Sequence, residues 1–256
     1  MGSEQIIKIS SQKPPATSMN YKNSPQHLKN ILHSEDINLT FISNPKVACS
    51  TIKNSLLGGF DGNVHQESEK RFHLPQNINH EFFCITRNPY SRALSCFKNK
   101  IGPNKEINPN AVWFPFCERY DFSRDNQPSF GEYLQALIDD PDPASMDMHY
   151  RCQHYNLHNS DIKPAYVGRL EHFDKVEEYL NTYNIKIIER NSHRTGSYET
   201  YRDEINANEA KLIEIFYNED FEIYGYEKEL TSTYIPDPLH QEQIISADYQ
   251  KIFSRG

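Results

Sequence analysis

The chain has 256 residues, of which 37% are hydrophobic, and its formal net charge is −8. This length suits one large domain, and the acidic balance excludes broad electrostatic binding to nucleic acid or to anionic membranes. A site for an anionic ligand must therefore be a local cluster of positive groups.

The five cysteines are odd in number and show neither CxxC nor metal-finger spacing. They indicate reduced, mostly buried thiols and a cytoplasmic location. No apolar run approaches the ~20 residues of a membrane helix, so we expect no transmembrane segment.

The N-terminal residues 1–24 are polar and predict a flexible leader. The stretch SPQHLKNILHSED then predicts a short helix, with Ser24 as its cap and Pro25 at its first position. We assign the main domain to residues 25–229 and a tail to residues 230–256, and the sequence leaves open how that tail packs.

Two strand–loop–helix units follow. INLTFIS, residues 37–43, is β-branched and aromatic, which predicts a strand, and Ile52, Leu56 and Phe60 then recur at helical spacing. EFFCIT, residues 81–86, is an apolar run typical of a strand buried on both faces.

The helix after the second strand has clear signals. Asn88 suits its cap and Pro89 its first position. Four residues then recur with the helical period and predict its buried face: Tyr90, Leu94, Phe97 and Ile101.

The second half of the chain continues the alternation. Residues 102–128 are rich in Pro, Asn and aromatic side chains and predict an inserted loop, and we expect acceptor specificity to reside in residues 102–160. Helices are predicted after Ser129 and over residues 170–184 and 208–226, and strands over residues 164–169 and 185–189. This order predicts an α/β fold, a three-layer sandwich like that of P-loop nucleoside triphosphatases, with a central, mostly parallel β-sheet.

The loop between the first strand and its helix, residues 45–51, is the first candidate site. A strand that feeds a tight loop and a helix gathers backbone N–H groups and the positive helix end at one point. Lys46 adds a mobile charge there, and Ser50 and Thr51 add hydroxyl donors. An ordinary loop with a solvent-facing lysine is the alternative.

The second candidate site follows the second strand. Arg87 stands at the carboxyl end of EFFCIT, where open parallel sheets bind ligands. Ser95 lies two helical turns further along, and the planar guanidinium of Arg87 suits a phosphate. Two anion sites on two strand ends indicate a ligand with two separate phosphate groups.

The segments PKVACSTIK (45–53) and RNPYSRALSCFKNK (87–100) resemble the two cofactor-binding signatures of the Golgi-type carbohydrate sulfotransferases, sulfotransferase family 2. That family includes chondroitin, dermatan and HNK-1 sulfotransferases and soluble bacterial relatives. Weaker similarity extends over about residues 38–227. The resemblance implies transfer of a sulfuryl group from 3'-phosphoadenosine 5'-phosphosulfate (PAPS, which leaves as the bisphosphate PAP) to a hydroxyl of an acceptor, expected to be a saccharide.

The resemblance also implies a role for each matching residue. The first loop would hold the 5'-phosphosulfate, a role that falls to six residues: Lys46, Val47, Ala48, Cys49, Ser50 and Thr51. Arg87 and Ser95 would hold the 3'-phosphate. Arg194, in the polar segment 191–202, is a further candidate for the cofactor, and a plain polar loop explains that segment nearly as well.

Sulfuryl transfer needs alignment, charge neutralisation on the leaving phosphate and a base for the acceptor hydroxyl. We assign the neutralisation to Lys46. His149 is the first candidate for the base, because imidazole titrates near working pH and because it occupies the family's His-x-x-x-Gln position. A structural role for His149 is as well supported. His73 is the second candidate, and Glu67 and Glu69 are further ones.

Two other functions and a metal site are alternatives to this interpretation. A P-loop kinase needs a Gly-x-x-x-x-Gly-Lys-(Ser/Thr) loop and a strand-end aspartate for magnesium, and the chain has neither. A catalytically inactive nucleotide-binding protein stays open. A metal site at His149, Cys152, His154 and His158 matches no standard zinc spacing, so we predict no metal. The oligomeric state is unknown.

Overall fold

The structure is a computed structural model. It describes the following residues: 19–20, 31–34, 38–71, 77–78, 81–102, 111–157, 164–190 and 197–244.

Short strands and helices make up the described part of the chain. The strands are β1 (Met19–Asn20), β2 (Ile31–Ser34), β3 (Leu39–Ile42), β4 (Asn77–Ile78), β5 (Glu81–Thr86), β6 (Tyr166–Arg169) and β7 (Leu239–His240). The helices are α1 (Cys49–Leu56), α2 (Val64–Arg71), α3 (Pro89–Cys96), α4 (Trp113–Tyr120), α5 (Phe130–Ile138), α6 (Gln153–Leu157), α7 (Phe173–Asn181), α8 (Ser197–Glu204), α9 (Ala207–Phe216), α10 (Asn218–Tyr224) and α11 (Gln241–Ile244). A π-helix, Phe97–Ile101, continues α3 directly.

The main sheet has the order β2-β3-β5-β6-β7. Its three central strands, β3, β5 and β6, run parallel, and the edge strands β2 and β7 pair antiparallel to their neighbours. The two-residue strands β1 and β4 pair separately. The predicted α/β fold is confirmed. Because the central strands are parallel, their carboxyl ends lie along one edge of the sheet.

The sheet forms the middle of three layers. Along β5, Phe82 and Cys84 point to one face and Phe83 and Ile85 to the other, as the pleat requires. The first face packs against α3, α5, α9 and α10, and the second against α1 and α7. Both faces are buried, which explains the continuous apolar sequence of β5.

The helix start that the sequence predicts at Asn88 is confirmed. The side chain of Asn88 accepts a hydrogen bond from the backbone N–H of Tyr90 at 3.0 Å, and Pro89 is the first residue of α3. The helix predicted after Ser129 is confirmed too, as α5, which begins with a capping box between Ser129 and Glu132. These caps are local, so the sequence alone identifies them.

The prediction of a helix over SPQHLKNILHSED is wrong for residues 31–34, which form β2. Ile31 lies opposite Ile42 of β3 and Leu32 opposite Phe41, so the sheet edge satisfies the backbone of this segment and buries Leu32. Tertiary pairing overrides the local helix signal here. The proposed cap Ser24 and Pro25 lie outside the described residues.

The prediction of a strand over residues 185–189 is also wrong. The side chain of Asn54 donates to the carbonyl of Ile188, and the N–H of Ile188 donates to Ser55 Oγ, so side chains of α1 satisfy this backbone. Ile185 is buried nevertheless. The apolar residues of segment 185–189 therefore indicate packing against α1 and α7. No strand of the described residues pairs with this segment.

Two other segments differ from their predictions. Residues 113–120, expected within a loop, form α4, because Trp113, Phe116 and Cys117 share one buried helix face and Pro115 falls in the first turn, where its missing N–H costs nothing. The helix predicted over residues 208–226 is divided at Tyr217 into α9 and α10.

The C-terminal tail folds onto the domain at least as far as β7. Its residues Leu239 and His240 pair with Val167 and Tyr166 of β6. The tail therefore closes the edge of the sheet opposite β2.

Candidate active site

The loop after β3 has the backbone geometry of an anion cradle. Lys46 and Ala48 both adopt left-handed conformations, with φ of 72° and 59°. Such conformations are costly outside glycine and cluster at functional sites, and turns of this kind gather successive N–H groups on one side. Ala48 is the N-cap of α1 and offers no side-chain cap. The first N–H groups of α1 therefore point into this cradle.

The six residues predicted for the loop differ in which of their atoms face the cradle. Val47 is fully buried in the core under α1, so only its backbone faces the cradle. Cys49, Ser50 and Thr51 form the first turn of α1 and are half-buried. Their N–H groups and the two hydroxyls surround the positive end of the helix.

Lys46 directs its side chain across the loop to the π-helix. Its Nζ donates to Oδ1 of Asn99 at 2.9 Å. The pKa of Lys46 is lowered to about 8, mainly by burial and also by the nearby positive charges of Arg87 and Lys100, while Cys96 and Cys49 oppose the shift. Lys46 is thus half-buried, and its ammonium has a hydrogen-bond partner in Asn99.

Arg87 lies beside the same loop. Its Nη1 donates to the carbonyl of Lys46 at 3.0 Å, and its Nε donates to Ser91 Oγ at 2.8 Å. Ser95 is buried one turn of α3 beyond Ser91. The structure therefore brings the loop of β3 and the strand end of β5 into direct contact, with Ser91 between Arg87 and Ser95 along the helix.

A buried amide network joins the strand ends to α6. Gln153 Oε1 accepts from the N–H of Arg87 at 3.0 Å and from Asn44 Nδ2 at 2.9 Å, and Gln153 Nε2 donates to the carbonyl of Arg87 at 2.8 Å. Asn156 donates to Asn44 Oδ1 at 3.1 Å. These bonds fix the ends of β3 and β5 relative to the segment that carries His149.

Arg92 also holds the segment carrying His149 against the loop after β3. Its buried guanidinium donates to the carbonyls of Met148 at 3.1 Å and Arg151 at 2.8 Å, and more weakly to that of Pro45 at 3.4 Å. Since His149 lies between Met148 and Arg151, Arg92 connects the segment carrying His149 to the residue preceding Lys46.

His149 is held in a defined orientation. Its Nδ1 lies 2.7 Å from Asp147 Oδ1, and the same carboxylate oxygen accepts its backbone N–H at 2.8 Å. A carboxylate accepts only, so Nδ1 carries the hydrogen and Nε2 offers a lone pair. Burial lowers the pKa of His149, the contact with Asp147 raises it, and the charges of Lys100 and Lys46 lower it again, with a lowered pKa as the result.

The other candidates for the catalytic base differ from His149 in their positions and partners. Glu67 accepts from Arg71 Nε at 2.5 Å on α2, and Glu69 is exposed on the same helix. His73 and the cofactor candidate Arg194 lie outside the described residues. Among the described candidates, His149 alone is both oriented by a carboxylate and influenced by the charge of Lys46.

The aromatic residues of the site region mostly belong to the core. Tyr90, Trp113 and Phe116 are buried, and Phe114 and Tyr120 are partly buried against the same cluster. The three buried rings therefore have a structural role.

The cysteine and histidine near α6 also have a structural explanation. Cys152, His154 and Asp220 lie together. The carboxylate of Asp220 accepts the N–H groups of Gln153 and His154 at 2.7 and 3.0 Å and contacts His154 Nδ1 at 2.9 Å. Asp220 therefore caps the start of α6, and these bonds account for the cluster. His158 lies outside the described residues.

Sequence reasoning missed several residues that the geometry brings to the site. They are Ser91, Arg92, Asn99 and Asp147, together with His65 of α2, which contacts Ser50 and Lys53. Only Asp147 had a usable signal, because an acidic residue two positions from a histidine commonly orients it. Asn99 had none, since its contact depends on the π-helix.

The fold and the site define an α/β domain that gathers hydrogen-bond donors and positive charge at its strand ends, without a glycine-rich triphosphate loop. The sequence profile of the Sulfotransferase family matches residues 29–227. Because this match covers most of the chain, the protein belongs to that family, and membership supports sulfuryl transfer as its reaction. Neither curated proteins nor solved structures gave a match.

Among the helices that the structure describes, none combines the length and the apolarity needed to cross a membrane.

Proposed function

We propose that this protein transfers the sulfuryl group of PAPS to a hydroxyl of a saccharide acceptor. The observation that carries the proposal is the meeting of three features at one sheet edge. They are the uncapped start of α1, the Lys46 ammonium, and a histidine whose Nδ1–H is held by Asp147. Family membership supports the reaction class.

The donor set of the first loop fits a phosphosulfate. Its left-handed residues, its open N–H groups and Lys46 present only donors and positive charge. The described part of the loop offers no carboxylate to hold magnesium, which a triphosphate site would need. Arg87 and Ser95 would hold the 3'-phosphate, and the contact of Arg87 with the Lys46 carbonyl supports two adjacent phosphate sites.

PAPS, when bound, supplies the sulfuryl group, whose bond to the 5'-phosphate oxygen breaks as the acceptor oxygen bonds to sulfur. Lys46 supplies positive charge for the leaving phosphate. Nε2 of His149 takes the proton of the acceptor hydroxyl, and Asp147 stabilises the resulting imidazolium. The lowered pKa of His149 keeps the imidazole neutral and ready to accept near pH 7.

The saccharide acceptor rests on the resemblance of the two signatures to those of carbohydrate sulfotransferases. The segment that carries His149 lies in the region 102–160, where we expect the acceptor to bind. The five free cysteines support a reducing, cytoplasmic location.

Calorimetric titration with PAP, adenosine 5'-phosphate and ATP, all without magnesium, tests the donor site. We expect tight binding of PAP, weak binding of adenosine 5'-phosphate and no binding of ATP. A transfer assay with PAPS labelled in its sulfate, over a panel of saccharides, then tests the reaction. ATP binding would favour a kinase instead, and PAP binding without transfer to any acceptor would favour an inactive binding protein.

A further inference from the structure

His65 has no role in the site described so far, yet its ring joins two residues of α1. Its Nε2 lies 3.1 Å from Ser50 Oγ, and its Nδ1 lies 3.1 Å from Lys53 Nζ. His65 is on α2, which packs against α1. Ser50 is the second residue of α1, within the cradle.

Lys53 decides which ring nitrogen of His65 carries the hydrogen. An ammonium group has three donors and no acceptor, so the atom that faces it must be a lone pair. Nδ1 is therefore the acceptor. A neutral imidazole then carries its hydrogen on Nε2, and that hydrogen points at Ser50 Oγ. Lys53 is only 8% exposed, so little water reaches it.

The tautomer in turn fixes the direction of the Ser50 hydroxyl. Since Ser50 Oγ accepts from His65, its own hydrogen must point away from the imidazole. Within the part of the chain that the structure describes, that hydroxyl makes no other hydrogen bond, and the uncapped N–H groups of α1 lie beside it. The hydroxyl is thus oriented as a donor at the positive end of the helix.

We propose that His65 is a positioning residue, which acts through Ser50 to aim a hydroxyl donor at the phosphosulfate of the sulfuryl donor. This inference rests on the proposed function, because it assumes that the cradle binds that group. Lys53 serves as the charge that sets the His65 tautomer, and has no contact with the ligand.

The first test determines the tautomer of His65 in the absence of ligand. Long-range proton–nitrogen NMR of the imidazole side chains in the full chain, with His65→Phe to assign the signal, is expected to show hydrogen on Nε2 at pH 8. Hydrogen on Nδ1 would overturn the inference whatever the ligand is.

The second test is a double-mutant cycle on PAP affinity, measured by calorimetry. Ser50→Ala and His65→Phe are each expected to weaken binding about tenfold, as the loss of one hydrogen bond to an anion predicts. The double variant should be no weaker than Ser50→Ala, because the two residues act as one unit. His65→Gln, which keeps a donor at similar reach, should restore most of the affinity, and Gln66→Ala on the exposed side of α2 should match wild type.

If the double variant lost PAP affinity by the product of the two single losses, or if His65→Phe bound PAP as tightly as wild type, the inference would be overturned. The sulfotransferase proposal would stay intact in both cases. Wild-type protein that does not bind PAP would overturn both. Thermal unfolding of each variant, compared with that of Gln66→Ala, separates lost affinity from lost folding.

Discussion

Lys46 Nζ donates to Asn99 Oδ1 at 2.9 Å, although 53 residues separate them in the chain. The bond crosses from the loop after β3 to the π-helix that extends α3. π-helical turns occur frequently at functional sites, because the extra residue re-aims a side chain. Here it brings an amide oxygen to the lysine that we propose stabilises the leaving phosphate.

Removing that oxygen should impair the reaction more than the binding of PAP. We expect Asn99→Leu to lower kcat about tenfold, since Lys46 loses the hydrogen bond to Asn99 that holds its direction. The affinity for PAP, measured by calorimetry, should change by less than about threefold. Lys98→Ala is the matched control, because Lys98 lies on the same π-helix and pairs with Glu204 at the surface. Equal losses in both variants would argue for a general disturbance of the π-helix.

The lowered pKa of Lys46 sets an upper limit to the active pH range. In the free protein its pKa is about 8, so the ammonium is present below that pH and is lost as pH rises through it. We expect kcat/KM for PAPS to fall above about pH 8. Lys46→Arg should be less active but lack this limb, because a guanidinium stays charged. A limb that persists in Lys46→Arg would belong to another group.

Local patterns predicted the parts of the fold that local forces determine. The cap at Asn88 and the buried run of β5 depend on neighbouring residues, and both are confirmed. Residues 31–34 and 185–189 were predicted wrongly, because distant partners satisfy their backbones. The same division holds for the site: the loop lysine was visible in the sequence, whereas Asn99 meets it only through folding.

Arg87 should determine whether the protein distinguishes a 3'-phosphate. We expect Arg87→Ala to weaken PAP binding by about 10- to 100-fold, because a charge-assisted bond is lost. Binding of adenosine 5'-phosphate, which lacks that phosphate, should change little. Ser91→Ala, which removes only the side-chain partner of Arg87 Nε, should have a smaller effect of the same kind. Calorimetry with both nucleotides on the three proteins checks this. Equal weakening of both nucleotides by Arg87→Ala would instead indicate damage to the Lys46 loop through the lost bond to its carbonyl.

The pair Asp147 and His149 should control the acid side of the pH profile. The pKa of His149 is lowered by burial, raised by Asp147, and lowered by Lys100 and Lys46, so the imidazole stays neutral to a pH below its usual 6.5. Activity that needs the neutral base is therefore present above the lowered pKa and lost as pH falls through it. His149→Ala should reduce kcat by about 100-fold or more, with PAP affinity retained.

Asp147→Asn is the more informative variant, because the loss of the Asp147 charge and the loss of the fixed His149 orientation have different effects on the pH profile. It removes the anion that raises the pKa of His149, so the acid limb of the kcat profile should move to still lower pH. At the same time kcat at pH 8 should fall, since an amide no longer requires hydrogen on Nδ1 and Nε2 loses its fixed lone pair. An acid limb that stays in place in Asp147→Asn, or one that survives in His149→Ala, would mean that another group is the base, and His73 would be the next to replace.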